Sequence, residues 1–151
     1  MKHNFKKAIM KQIKITALIG LLFCLLLSSC RVSLVPAYNP DVVAKVEQAS
    51  KATDHLYDSI MDSPDKSFYS FSNSYASIHS QIDDILILDS SRESSKIILI
   101  IGNDLKKRFV KYEKYHKDAG TLNNSQLRTY KDYMHALWES LFNSEINFKI
   151  K

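Results

Sequence analysis

Phe68-Tyr-Ser-Phe-Ser-Asn-Ser-Tyr-Ala-Ser-Ile-His-Ser-Gln-Ile-Asp-Asp-Ile85 is the stretch on which the fold turns. Its first half reads two ways. A period of two puts Ser70, Ser72 and Ser74 on one face and Tyr69, Phe71 and Tyr75 on the other, as in a half-buried strand. Asn73 interrupts that apolar face, and the alternation fades within about seven residues. A helical period does better. Phe68, Phe71, Tyr75, Ile78, Ile82 and Ile85 recur at threes and fours and fall on one stripe of a helix. The spacing predicts a helix over 65–88.

The same period extends in both directions. Upstream, Val42, Val46, Ala49, Thr53, Leu56 and Ile60 share a stripe over 40–62. Asn39 is placed to cap that helix, and Pro40 suits its first position, where a missing N–H costs nothing. Ser63-Pro64 ends it, because proline cannot donate the next helical hydrogen bond. Downstream, Ile98, Ile101, Leu105, Phe109 and Tyr112 mark a helix over 91–118, with Ser90 and Glu93 at capping-box spacing. The β-branched run Ile97–Ile101 would also suit a strand, but the helical period continues past it. Gly120 suits a left-handed stop. A fourth helix over 124–147 carries Leu127, Tyr130, Met134, Leu137 and Leu141, with Trp138, Phe142 and Ile146 alongside; Asn123 caps it and Gln126 follows three residues later. Four helices with short connections imply antiparallel neighbours, hence an all-α, up-down-up-down four-helix bundle. Scarce turn residues agree. Beyond residue 30 there are only Gly102, Gly120, Pro36, Pro40 and Pro64, too few for a many-stranded sheet.

The first thirty residues differ from the rest. Residues 1–15 hold Lys2, Lys6, Lys7, Lys11 and Lys14 and no acid, and residues 16–27 are an uncharged apolar run. That run of about 12 residues would rise only about 18 Å as a helix, short of a hydrocarbon core of about 30 Å. It leads into Leu27-Ser28-Ser29-Cys30. These residues resemble the leader and lipobox of a bacterial lipoprotein. The resemblance covers residues 1–30. It implies diacylation of the Cys30 thiol and cleavage just before it, with residues 1–29 as signal peptide, 30–38 as lipidated tether and 39–151 as the bundle. The implied location is the cell envelope. Arg31 is not the aspartate that retains such proteins in the inner membrane. A host with two membranes would carry the domain on the outer membrane, facing the periplasm; a host with one would carry it on the outer face of the cell. Cys24 reads as an apolar filler of the leader.

Two consequences follow from that processing. Cleavage removes Cys24 and acylation occupies Cys30, so stability would come from packing rather than disulfides. All 16 acids lie after residue 30, against 16 of the 21 basic residues. The processed chain is formally neutral, and the +5 of the whole sequence belongs to the leader. No nucleic-acid partner is expected.

The chemistry-bearing groups are sparse. Glu113 and His116 have the Glu-x-x-His spacing of di-iron bundles, and Asp132 and His135 the same spacing on the fourth helix. The first helix has only Glu47 and the second no glutamate to match them, so no metal is expected, and His116 reads as a solvated helix end. His79–Asp83 and Asp58–Asp62 read as surface pairs. No serine sits in a Gly-x-Ser-x-Gly elbow, and no glycine-rich phosphate loop exists. No catalytic residue and no cofactor beyond the covalent lipid is expected. Lys106, Lys107, Arg108, Lys111, Lys114 and Lys117 form a basic patch suited to an acidic partner or anionic lipid. Asp54, Asp58, Asp62 and Asp65 form an acidic counterpart on the first helix. Tyr69, Tyr115 and Tyr133 fall off the apolar stripes and could join a contact surface. The expected function is therefore a membrane-anchored, non-enzymatic structural or protein-interaction module, its envelope partner unspecified. The alternatives are a small-ligand or metal-binding bundle, or an inhibitor of the immunity type.

Overall fold

The computed structural model describes residues 38–93 and 95–147. The leader, Cys30 and nearly all of the tether lie outside the described residues. Four helices make up the described chain: α1 Pro40–Asp62, α2 Phe68–Ser90, α3 Lys96–Ala119 and α4 Asn124–Ile146. α1 packs on α2 and α4, and α3 packs on the same two. That ring of antiparallel neighbours is the up-down-up-down four-helix bundle. The α1–α2 and α3–α4 connections lie at one end, here the upper. Residues 38–39, the α2–α3 connection and the end of α4 lie at the lower end. Among the described residues, no helix is long and apolar enough to cross a membrane.

Local chemistry sets the helix ends. Asn39 Oδ1 accepts from the N–H of Asp41 at 2.9 Å, just before Pro40 at the first helical turn. Asn123 and Gln126 form a reciprocal capping box at the start of α4, with bonds of 2.9 and 3.1 Å. Gly120 closes α3 with a φ of 75°, a value that costs glycine nothing.

Two starts differ from the sequence expectation. α2 begins at Phe68, not residue 65, because the Asp65 carboxylate turns back to accept from the Ser67 N–H at 2.9 Å and from the Ser70 hydroxyl. Those bonds hold its pKa below the usual carboxylate range. α3 begins at Lys96, not residue 91, so Ser90 and Glu93 form no capping box. α2 runs through Ser90, whose hydroxyl donates to the Ile87 carbonyl at 2.7 Å. Arg92 is drawn into the bundle (below), which keeps the chain turned until Ser95. Ile97–Ile101 lies within α3 and is helical.

The stripes meet at the bundle axis. Every α1 position on the expected stripe is fully buried or nearly so, and Tyr57 joins them. Trp138, expected at the edge of the α4 stripe, stands at its centre, whereas Tyr130 and Leu137 are half-buried. The Trp138 indole donates to Thr53 Oγ1 at 3.1 Å, and the Thr53 hydroxyl donates to the Ala49 carbonyl at 2.8 Å. That chain explains a threonine on an apolar stripe. Gly102 lets α3 approach α2 closely: a Cβ there would lie 2.7 Å from Leu86 Cδ2. The hollow enclosed by Ile82, Ile85, Leu86, Gly102, Leu105, Trp138 and Leu141 is too small for a water molecule.

Candidate interaction face

The basic residues of α3 turn to different neighbours. Lys106 reaches across to Asp83 of α2 at 2.7 Å, and Lys117 lies 5.9 Å from the centre of the Phe68 ring. Both therefore face α2. Arg108 and Lys114 pair along the helix with Asp104 and Asp118, at 3.9 and 2.5 Å. These are exposed pairs of small net value. Lys111 sits 5.4 Å from the centre of the Tyr115 ring, on the side facing α4. Lys107 is exposed between these groups. The acids of α1 do not meet them. In the ring α1 neighbours α4 rather than α3, so Asp58 pairs with Lys131 at 2.6 Å and Asp54 with His135 at 3.0 Å.

A tyrosine group lies where α3 meets α4. The Tyr112 and Tyr130 rings stack at 4.1 Å with an interplanar angle of 9°. Tyr115 leans on Tyr130 at 6.3 Å. Tyr115 and Tyr133 are 42% and 61% exposed, so the group opens outward from a buried base. Burial pushes the Tyr112 hydroxyl above its usual pKa, while Arg108 pulls the other way and Tyr133 adds to the rise. Arg108, four residues before Tyr112 on α3, and Tyr133, three after Tyr130 on α4, share the helix faces of the stack. The result is a half-exposed aromatic ledge bordered by Arg108 and Lys111. Tyr and Arg are enriched in protein interfaces because each offers large area with a polar handle. Tyr69 is exposed on its own at the upper end of α2, beside Phe68.

The residues with metal-ligand spacing do not converge. Glu113 turns to α2, where its carboxylate lies 2.5 Å from His79 Nε2. His79 rests edge-on against Phe109 and not against Asp83, which is taken by Lys106. His116 is fully buried, not a solvated helix end. Its Nε2 lies 2.8 Å from the Lys66 carbonyl, which can only accept, so Nε2 carries the proton. Its Nδ1 lies 3.1 Å from the Tyr75 hydroxyl. Burial raises the Tyr75 pKa, so that hydroxyl keeps its proton. Phe68 and Tyr75 enclose the ring. Among the described residues, no three His, Cys, Asp or Glu side chains are grouped to hold a metal.

A cluster that the sequence reading missed closes the lower end. Arg92 Nη1 donates to Asp89 at 2.6 Å and to both Glu145 oxygens at 2.8 and 3.0 Å. Asp89 and Glu145 are fully buried. Burial raises both carboxyl pKa values against the pull of Arg92, and Glu145 reaches about 7. The cluster ties the α2–α3 connection to α4. A signal for it was present. The apolar registers Ile78-Ile82-Ile85 and Met134-Trp138-Leu141, continued one step, land on Asp89 and Glu145. The α3 register Leu105-Phe109-Tyr112 lands likewise on His116.

No protein-family model, curated protein or solved structure matches this chain.

Proposed function

We propose that the chain is a lipid-anchored lipoprotein of a bacterial envelope. In this reading its bundle is a non-enzymatic interaction module that offers the α3–α4 tyrosine ledge to an acidic protein surface. The ledge carries the proposal. Tyr115 and Tyr133 are exposed although Tyr112 and Tyr130 beneath them are packed, and Arg108 and Lys111 give the rim a positive sign. Leu27-Ser28-Ser29-Cys30, behind its basic and apolar leader, supports the anchor. Acylation at Cys30 would supply the membrane attachment, since two or three acyl chains hold firmly where one does not.

The anchor and the ledge are tested separately. Mass spectrometry of the membrane-extracted protein should find Cys30 as an acylated N-terminus, and Cys30→Ala should release or mislocalise the protein. A photocrosslinker at Tyr133 should capture one envelope protein in intact cells, and Lys107→Glu with Lys111→Glu should abolish that product. Equal capture by a crosslinker at Gln48, on exposed α1, would overturn the ledge as the binding face.

A further inference from the structure

The exposed apolar residues are unevenly placed. Ile87, Ile97 and Ile100 are 66%, 67% and 62% exposed. They lie in the last turn of α2 and the first turns of α3, within about 6 Å of axial rise from the helix ends at the α2–α3 connection. The other large exposed apolar residues are Tyr69, Val110, Tyr115 and Tyr133; three of these carry a hydroxyl, and none sits at the lower end. Leu99 and Ile100 also line an open hollow of about 600 Å³ with Arg92, Ser95, Lys96 and Asn103. Three exposed isoleucines gathered at one end of the bundle call for a cover.

Chain length says what that cover is. Only eight peptide links separate Cys30 from Tyr38, and fully extended they span no more than about 30 Å. Tyr38 precedes α1 at the lower end, the same end as the isoleucines. If Cys30 is acylated, the lower end is held within that distance of the bilayer and the upper end is a helix length further away. We infer that the lower end seats on the lipid surface, with Ile87, Ile97 and Ile100 entering the boundary between headgroups and acyl chains. Side chains on the apolar part of an interfacial contact reach about 5–10 Å into that boundary, comparable to the axial spread of the three. Lys96 is exposed beside Ile97 and suits a headgroup phosphate. Asp41 and Glu93 are exposed at the same end, so the contact is driven by apolar burial rather than by charge. The Arg92 cluster fixes the α2–α3 connection and thereby the presentation of the three side chains. This inference rests on the anchoring proposed above and not on the ledge.

The test uses full-length lipidated protein in vesicles of phosphatidylethanolamine and phosphatidylglycerol. After processing, an introduced cysteine is the only free thiol. Ile97→Cys, Ile100→Cys and, as control, Tyr69→Cys are each labelled with a polarity-sensitive fluorophore. The labels at 97 and 100 should shift to the blue and be quenched by lipids brominated on their acyl chains; the label at 69 should do neither. Ile97→Glu with Ile100→Glu should leave vesicle flotation intact while a label at Ile87→Cys loses its quenching. Flotation with labels at 97 and 100 as wet as the one at 69 would overturn the seating and leave the anchor standing. Labels shielded from iodide in water yet untouched by brominated lipid would also overturn it, assigning the patch to a second copy or another protein. Failure to float, with Cys30 unmodified, would remove the anchor and the seating together.

Discussion

At the upper end of the bundle a buried imidazole, His116, has both ring nitrogens engaged, one by the Lys66 carbonyl and one by the Tyr75 hydroxyl. At the lower end two buried carboxyls, Asp89 and Glu145, share a single guanidinium. Both arrangements stitch a connecting segment to a helix. They differ in balance. In the upper set one ring meets one partner at each nitrogen. The lower set holds one negative charge more than positive when fully ionised, so burial favours a proton on the pair. The upper end is held by two hydrogen bonds to one ring, whereas the lower end is a joint whose strength depends on its protonation.

The largest test of that contrast is Arg92→Leu. It leaves the two buried carboxyls with no paired cation among the described residues, and removing one partner of a buried ionic set typically costs about 3–5 kcal/mol. Urea unfolding should show that loss. A change below about 0.5 kcal/mol, the scale of ordinary surface substitutions, would show that water does the work of Arg92 and would erase the difference between the ends.

Next comes pH. Glu145 is raised from 4.5 to about 7 by burial, so the folded chain holds a proton that the unfolded chain releases. Its contribution is intact below about pH 4.5 and is lost as the pH rises through about 7. Asp89 is shifted in the same direction. Thermal unfolding should therefore show stability falling between pH 5 and pH 8, and Glu145→Gln should flatten that slope. An unchanged slope in the variant would place the titrating group elsewhere.

The upper end should respond less. His116→Leu orphans the Lys66 carbonyl and the Tyr75 hydroxyl, and unsatisfied buried groups cost about 1–3 kcal/mol. Tyr75→Phe should cost less alone, and the two losses should fall well short of additive when combined. Additive losses would mean that the two side chains do not share one hydrogen bond. The smallest effect concerns Tyr57. Its hydroxyl is buried without a hydrogen-bond partner among the described residues, and its pKa is pushed well up by burial. Tyr57→Phe should leave stability unchanged or raise it by about 1 kcal/mol or less, read as a small rise in Tm. A marked loss would reveal a partner for that hydroxyl.

The comparison also marks what a sequence exposes and what it conceals. Stripes such as Val42-Val46-Ala49-Thr53-Leu56-Ile60 announce themselves because burial repeats with the helical period. The caps at Asn39 and Asn123 are legible because each closes within three residues. Asp89, His116 and Glu145 hold core positions by the same period, but their polarity masks it. Asp89 meets Arg92 three residues on, but the partners of Glu145 and His116 lie 53, 41 and 50 residues away in Arg92–Glu145, Tyr75–His116 and Lys66–His116, and no local pattern names a partner at that distance. The start of α3 slipped for the same reason: Ser90 to Ser95 offers several caps, and the choice among them is made by Arg92 reaching α4. The acids of α1 do not meet the basic residues of α3, because ring order, not sequence proximity, makes α1 a neighbour of α4. The tyrosine ledge was visible only in outline, as Tyr115 and Tyr133 standing off their stripes; Tyr112 and Tyr130 as its base required the helix pairing.

The seam between α1 and α4 has a consequence for the order of events during synthesis. Thr53 waits for Trp138, Asp54 for His135 and Asp58 for Lys131, pairs 85, 81 and 73 residues apart. A nascent chain that has released α1, α2 and α3 thus carries a long apolar seam with no cover until α4 arrives. Such half-built bundles are the species that holding chaperones bind and proteases trim, so a chain truncated before residue 124 should be cleared rather than accumulate.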